Sequence, residues 1–293
     1  MVSAPSWRIL VLDWQADPAV IPLLVIGATL YIGGTRRLAH RSPRPQRWPK
    51  RRTAAFMSGL AVVAIGTMSG LARYDTILFS VHTGQHIALG MIGPFLLVLG
   101  APVTLALQAS HRPTQVVLLR VAHHPVIIAL TRPLVAWALF AGTLFGLYFT
   151  PLFDLSLRNG HVHALVHLHF IAVGFAFWWP AVGLDPLRRP LTYPARMLYL
   201  LLAIPFHAFL GLAVMSSTAH PLGVVEYSAV LRNWGPTLVS DQRLGAGLIW
   251  IAGELVGVVA AAVVGLRWFR HEQRRDARDA RHRRSIESDV LRT

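Results

Sequence analysis

The sequence predicts an all-α integral membrane protein, built as a bundle of seven transmembrane helices. Of its 293 residues, 54% are hydrophobic and only 14% are charged, whereas a soluble domain carries roughly a quarter charged residues. The charges are also unevenly placed, because long apolar runs contain almost none and the arginines lie between those runs. Composition and distribution together indicate a multi-pass protein of the lipid bilayer.

Seven apolar runs are each long enough to cross about 30 Å of hydrocarbon at a rise of about 1.5 Å per residue. Stretches that contain charged residues, proline or glycine separate these runs along the chain. The predicted spans are 18–35, 53–72, 81–100, 133–150, 160–182, 194–216 and 243–268.

The first and third runs and one shorter apolar stretch need separate justification. Two acidic residues precede the first run and no small-residue cleavage pattern follows it, so we expect a retained helix and not a signal peptide. The third run ends at Gly100-Ala101-Pro102, which predicts a structural turn. Charged residues and a proline interrupt the stretch 114–131, so we expect it to lie at the interface and not to form an eighth span.

Arginine and lysine are distributed asymmetrically between the two sides of these spans. If the amino terminus is outside, 23 of the 28 basic residues lie in cytoplasmic loops and the carboxyl-terminal tail, and 5 lie outside. Positive charge concentrates on the cytoplasmic side of multi-pass proteins. The count therefore predicts an outside amino terminus and a cytoplasmic carboxyl terminus. Residues 1–270 form the membrane domain in this interpretation, and 271–293 form a charged cytoplasmic tail.

The formal net charge of +15 would suit a nucleic-acid-binding protein, but its distribution argues against that class. Basic residues concentrate at 36–52 and 267–284, beside apolar runs, where membrane topology accounts for them. A retinal-type photoreceptor is excluded because the only lysine, Lys50, lies in a predicted cytoplasmic loop, where no intramembrane Schiff base can form. The hydrolase motifs Gly-x-Ser-x-Gly and His-Glu-x-x-His are absent, and we expect no enzymatic turnover.

Two histidine pairs lie inside segments that otherwise predict lipid-buried helix. His82 and His86 are in the third span, and His163 and His167 are in the fifth. The i, i+4 spacing places the two rings of each pair on one helix face. Both helices enter from outside in the predicted topology, so all four imidazoles lie in the outer half of the bilayer. Ionisable side chains are costly in hydrocarbon, and there they indicate a functional site.

Further polar and thioether groups are expected in or near the same half of the bilayer. Met215 and Asp241 lie near the outer ends of the sixth and seventh spans, and because the chain has no cysteine, a soft metal would need histidine and methionine ligands. Glu254, near mid-membrane, is either a proton-relay acid or the partner of a buried donor. His169 and His207 are expected to form structural hydrogen bonds to neighbouring helices.

Three kinds of chemistry remain open for the paired imidazoles. They could hold copper with help from a thioether, as a metal-presenting protein would. They could ligate haem axially between helices, as in an electron-transfer protein. They could also relay protons together with Glu254, as in a proton-coupled transporter.

Several segments, taken in order along the chain, resemble those of one protein family. The third span begins His82-Thr-Gly-Gln-His86, the fifth contains His163-Ala-Leu-Val-His167 and ends near Trp178-Trp179-Pro180, and the seventh begins Asp241-Gln242. In their order and spacing these segments resemble the multi-spanning CtaG family of cytochrome c oxidase assembly factors, over roughly residues 55–270.

The resemblance implies a protein of the bacterial plasma membrane that helps to mature the copper centre of a respiratory oxidase. It implies copper as the metal and a cytochrome c oxidase subunit as the partner. Its likeliest functional ligands carry over to His82, His86, His163 and His167, with Asp241 near the same face. The tryptophans of the Trp178-Trp179-Pro180 group are expected in an interfacial belt on the inner side, and Asp185 in a turn.

Overall fold

Helices make up the regular secondary structure of the part of the chain that the structure describes. The structure is a computed structural model, and the residues that it describes are 4, 6, 8–9, 13–41, 47–187 and 190–290. Its helices are α1 (Val20–Arg41), α2 (Lys50–Met68), α3 (Gly70–Tyr74), α4 (Phe79–Ile87), π1 (Ala88–Ile92, a π-helical turn), α5 (Gly93–Leu99), α6 (Pro102–Ala109), α7 (Arg112–Ala122), α8 (Pro125–Leu130), α9 (Pro133–Tyr148), α10 (Leu152–Arg158), α11 (Gly160–Val182), α12 (Tyr193–Ser216), α13 (Val224–Ala229) and α14 (Leu238–Val290).

Five helical segments within the described residues are long and apolar enough to cross a membrane. The number rises to six if α9 and α10, which meet at an angle of 68°, form one broken span. The all-α fold is therefore confirmed and several spans are present, whereas the number seven and the orientation of the termini stay predictions. The five segments are Lys50–Tyr74, Phe79–Ala109, Gly160–Val182, Tyr193–Ser216 and Leu238–Arg281.

Two predicted spans differ from these segments for identifiable reasons. The first predicted span corresponds to α1, which begins at Val20, so a membrane-length stretch of it extends to Arg36 and Arg37. The fourth corresponds to α9, whose 16 residues cover only about 24 Å at the rise of an α-helix. The chain then turns sharply into α10. An apolar run in the sequence shows neither where its helix begins nor where the chain bends, so the sequence could not reveal these two differences.

The predicted interfacial stretch 114–131 is divided between two short helices. α7 ends at Ala122, and α8 begins with Pro125, which stands at its first position with His124 as the cap. Proline is favoured at the first turn of a helix because its missing N–H has no helical partner there. Neither α7 nor α8 is long enough to cross the bilayer.

The segment from α4 through π1 to α5 occupies the middle of the bundle. It packs against α2, α11 and α14, while α12 lies along α14. The main apolar core runs along these contacts and contains Phe79, Leu89 and Phe170. Large apolar side chains on the outer faces of the helices are exposed instead, for example Leu134 and Phe209, as expected where the surrounding solvent is lipid.

The carboxyl-terminal end of α11 is more deeply packed than the predicted interfacial belt would be. Trp178 is 1% exposed and lies within the main core, so its assignment to an interfacial belt is wrong. Asp185 does lie in a turn, where its carboxylate accepts hydrogen bonds from the backbone N–H and the hydroxyl of Thr104, both at 2.7 Å. These bonds hold the start of α6 just after Ala101, whose left-handed backbone (φ 51°) forms the predicted turn.

α14 continues without a break from the membrane segment into the charged tail. It runs from Leu238 to Val290, and its residues beyond 270 are mostly charged. The boundary between the membrane domain and the predicted tail therefore lies inside one helix.

Candidate metal centre

The four predicted histidines lie together where α4 meets α11. The ring centroids are 4.2 Å apart for His82 and His86 and 4.3 Å apart for His163 and His167, as expected for one helical turn. Across the helix interface, His82 and His163 stack with centroids 5.3 Å apart, and His86 and His167 are 5.6 Å apart. We call these four residues the histidine cluster.

Helix caps determine where the two histidine-bearing helices begin. The side chain of Asn159 accepts hydrogen bonds from the backbone N–H groups of His161 and Val162 at the start of α11. The carboxylate of Asp241 accepts one from the backbone N–H of Phe79 at 2.7 Å, at the start of α4. Capping groups of this kind pair the otherwise unsatisfied N–H groups of a first helical turn. Each helix therefore presents its first histidine of the cluster, His82 or His163, about one turn after its start.

Two glycines bring α11 and π1 close together on the carboxyl-terminal side of the histidine cluster. A Cβ atom on Gly174 of α11 would lie 2.1 Å from the carbonyl oxygen of Gly90 in π1. The backbones are therefore in direct contact, which only glycine allows at that position. π1 begins two residues after His86, and π-helical turns of this kind occur frequently at functional sites.

Two residues of the histidine cluster are buried and two are partly exposed, and several of its nitrogen atoms have no hydrogen-bond partner among the described residues. His82 is 0% exposed and His86 is 2% exposed. Both ring nitrogens of each, and Nε2 of His163, are buried and unpaired among the described residues. Burying polar atoms without partners costs free energy, and such atoms in a folded protein call for an explanation such as an ion. Imidazole nitrogen is a common transition-metal ligand, so the cluster fits a metal ion.

Asp75 joins this site from the loop between α3 and α4, and the sequence analysis missed it. Its carboxylate Oδ2 lies 3.9 Å from Nε2 of His163. Burial raises the pKa of Asp75 to about 7, although hydrogen bonds from Gln85 and from the backbone of Thr76 oppose that shift. The only signal in the sequence was an acidic residue just before the third predicted span.

Two groups of three side chains could each hold an ion. His82, His86 and His163 form one group, and Asp75, His163 and His167 form the other. Within each group, the candidate ligand atoms lie within 4.8 Å of one another. His163 belongs to both groups.

Gln85 positions His167 from within α4. Its side-chain N–H donates to the carbonyl of Gly66 at 2.8 Å, so its amide oxygen faces Nε2 of His167 at 3.0 Å. If Nε2 of His167 donates this hydrogen bond, Nδ1 is the nitrogen with a lone pair for a metal. A second partner that orients a ligand ring in this way is common at metal sites. The sequence analysis did not identify Gln85.

The other candidate ligands have different surroundings. Asp241 is 1% exposed and is engaged at the start of α4, where the hydroxyl of Ser80 also donates to it. Met215 packs against the main apolar core from the end of α12. Asp241 does not belong to the groups that could hold an ion among the described residues.

Three further polar side chains in the apolar segments each have at least one protein partner, although Nε2 of His207 is buried without one among the described residues. Glu254 accepts a hydrogen bond from the indole N–H of Trp250. Nδ1 of His207 lies 3.0 Å from the carbonyl of Ala203, and Nε2 of His169 lies 2.8 Å from the hydroxyl of Thr143. His169 thus contacts a neighbouring helix as predicted, whereas the contact of His207 is to its own helix and not to a neighbour.

Replacing Asp241 by asparagine is expected to lower the free energy of unfolding by about 1–3 kcal/mol, because the buried N–H of Phe79 loses its charged acceptor. If the histidine cluster holds a metal ion, its stoichiometry is expected to stay unchanged. Denaturant unfolding in detergent and metal analysis of the purified variant test both statements. Asp276→Asn on the exposed part of the same helix is the control, with an expected change within about 0.5 kcal/mol. Loss of a bound metal at unchanged stability would place Asp241 among the ligands.

Comparison with known proteins identifies a family. Residues 29–271 match the cytochrome c oxidase caa3 assembly factor family, which confirms the resemblance seen in the sequence. The chain is also similar to uncharacterized proteins of Mycobacterium bovis and Mycobacterium tuberculosis, at 35% identity over 283 residues, and to one of Mycobacterium leprae at 33%.

Coverage of these relatives is one-sided. The alignments include 94% of this chain but 42% of each relative, so the chain spans less than half the length of the curated relatives it matches. No solved structure matches the chain.

Proposed function

Because the chain belongs to the cytochrome c oxidase caa3 assembly factor family, we propose that it holds copper at the histidine cluster and presents it to a cytochrome c oxidase subunit. The observation that carries this proposal is the set of unpaired, buried imidazole nitrogens on His82, His86 and His163. These unpaired nitrogens support a metal ion as what this assembly factor carries. The protein acts without enzymatic turnover.

The donor set is compatible with copper, and the family to which the chain belongs is what favours copper over other transition metals. Cu(I) accepts soft and borderline ligands, and imidazole is among the donors that suit copper. The chain has no cysteine, so thiolate transfer is closed to it and neutral imidazoles must carry the ion. Neutral ligands bind a monovalent ion less tightly than thiolates do, which suits a protein that releases its cargo.

The position of the cluster suits exchange with a partner at the membrane surface. His82 and His163 each lie in the first turn of their helices, near the ends of two spans. With the orientation that the basic residues predict, these ends face the outside. We place the oxidase subunit that receives copper on that side of the bacterial plasma membrane.

The haem and transporter alternatives have weaker support. Imidazoles whose centroids are 5.3–5.6 Å apart across the helix interface leave no gap for a porphyrin between them. Glu254 is paired with Trp250 on its own helix and lies outside the two groups of ligands. An absorption spectrum of the purified protein tests the haem alternative, since a Soret band would identify haem.

Changing both His82 and His86 to alanine is expected to abolish stoichiometric Cu(I) binding, because only His163 then remains of the three imidazoles in that group. Copper analysis of the purified protein measures this, and His169→Ala on α11 is the control that should keep its copper. In cells that lack the native gene, the double variant is expected not to restore oxidase activity in membranes. Copper retained at one ion per chain in the double variant would remove the assigned site.

A further inference from the structure

A large cleft opens on one side of the histidine cluster. Its volume is about 950 Å³, and its wall is built from the segment before α1 and from parts of α1, α2 and α11. Asp75, His163 and His167 line this cleft, whereas His82 and His86 do not. One of the two groups of ligands is therefore open to the cleft, and the other lies behind it.

The two groups differ in charge and therefore in the ion that each prefers. His82, His86 and His163 offer three neutral imidazoles, of which the first two are buried and the third is partly exposed at the cleft. The group at the cleft adds a carboxylate, and two imidazoles with one carboxylate are a donor set that proteins use for divalent ions such as Zn²⁺. The carboxylate of Asp75 is 5% exposed, and a cation beside it would offset the cost of burying its charge.

His163 cannot complete both groups at once. A neutral imidazole has one nitrogen with a lone pair, because its other nitrogen carries the proton. An ion bound behind the cleft withdraws His163 from the group at the cleft, and the reverse holds as well. The shared ligand thus couples the two positions.

From this geometry we propose that Asp75, His163 and His167 form a second cation position, which binds a divalent transition-metal ion and excludes copper from the position behind it. The second position deepens the proposed function, on which its role rests: an ion in the cleft controls whether copper is held. Because an ion in the cleft meets Asp75 and His167 first, this position is also where an arriving ion first finds ligands.

The test is a titration of the purified full chain with Zn²⁺ alone, Cu(I) alone, and Cu(I) at saturating Zn²⁺. Asp75→Asn preserves the size of the side chain, and the bond from the Tyr227 hydroxyl to the backbone carbonyl of residue 75 remains. The matched control is Asp17→Asn, a carboxylate that lines the same cleft but caps α1 through the N–H of Ala19. Asp75→Asn is expected to weaken Zn²⁺ binding by about 10- to 100-fold and to weaken Cu(I) binding much less, because Asp75 is a ligand only at the cleft.

The competition experiment needs no variant and stands independently of how Asp75→Asn folds. In the wild-type chain, saturating Zn²⁺ is expected to weaken apparent Cu(I) binding, and Cu(I) is expected to displace Zn²⁺. Equal Zn²⁺ affinity in Asp75→Asn and the wild type, or simultaneous binding of both ions at full affinity, would overturn the second position. Zn²⁺ binding that depends on Asp75 in a chain that takes no Cu(I) would instead contradict the copper function and leave the cleft position standing.

Discussion

Replacing His163 by alanine is expected to weaken both Cu(I) and Zn²⁺ binding by at least about 100-fold, or about 2.7 kcal/mol each. The reason is that His163 is the one side chain shared by both groups of ligands, so its loss leaves each group with two donors. No other single substitution in the cluster is expected to affect both ions. Competition with a chelator of known affinity measures each binding constant.

His161→Ala is the matched control for this experiment. His161 lies two residues earlier on the same helix and lines the same cleft, but it is exposed and belongs to neither group of ligands. We expect both affinities to change less than threefold in that variant. Zn²⁺ or Cu(I) bound to His163→Ala with wild-type affinity would show that the shared ligand is wrongly assigned.

Replacing Gly174 by alanine is expected to destabilise the protein by at least about 3 kcal/mol and to weaken Cu(I) binding together with it. The new Cβ would lie 2.1 Å from the carbonyl oxygen of Gly90. Because that oxygen belongs to the backbone, the clash can be relieved only if α11 and π1 move apart. That separation would move His163 and His167 away from His82 and His86. Unfolding in detergent and Cu(I) titration are the two measurements.

Gly84→Ala provides the comparison within α4. A Cβ at Gly84 would meet nothing within 4 Å, so this change adds a methyl group between the two histidines of one helix without a clash. We expect it to be neutral or to stabilise the helix, because alanine is a better helix former than glycine by about 1 kcal/mol. Equal stability losses in the two variants would contradict the role given to the close contact.

Much of the candidate site could be predicted from the sequence, since it follows from local geometry. The spacing of His82 from His86 and of His163 from His167 determines a shared helix face whatever the rest of the chain does. Asp75 could not be found in this way, because it lies in a loop whose path depends on how α3 and α4 pack. Asp241 was correctly placed near this end of the bundle, yet only the structure revealed that its carboxylate receives the N–H of Phe79.

Some features of the fold could likewise be predicted from the sequence, and others could not. Long apolar runs with little charge were enough to predict an all-helical membrane protein, because hydrocarbon leaves a spanning backbone few alternatives. The bend of 68° between α9 and α10 was not predictable, because the composition of an apolar run does not record where the helix turns. Trp178 was assigned to an interface for its residue type, whereas its burial depends on neighbours distant in the sequence.

The sequence by itself determined the class of protein, its family and the two histidine pairs, since composition, motif order and helical periodicity are properties of the chain alone. Only the tertiary structure decided that the pairs face each other, that Asp75 joins them, and that His163 serves two groups of ligands. Those facts depend on the distance between α4 and α11, which the contact of Gly90 with Gly174 sets. Such a distance arises from packing between segments some eighty residues apart, and no local pattern encodes it.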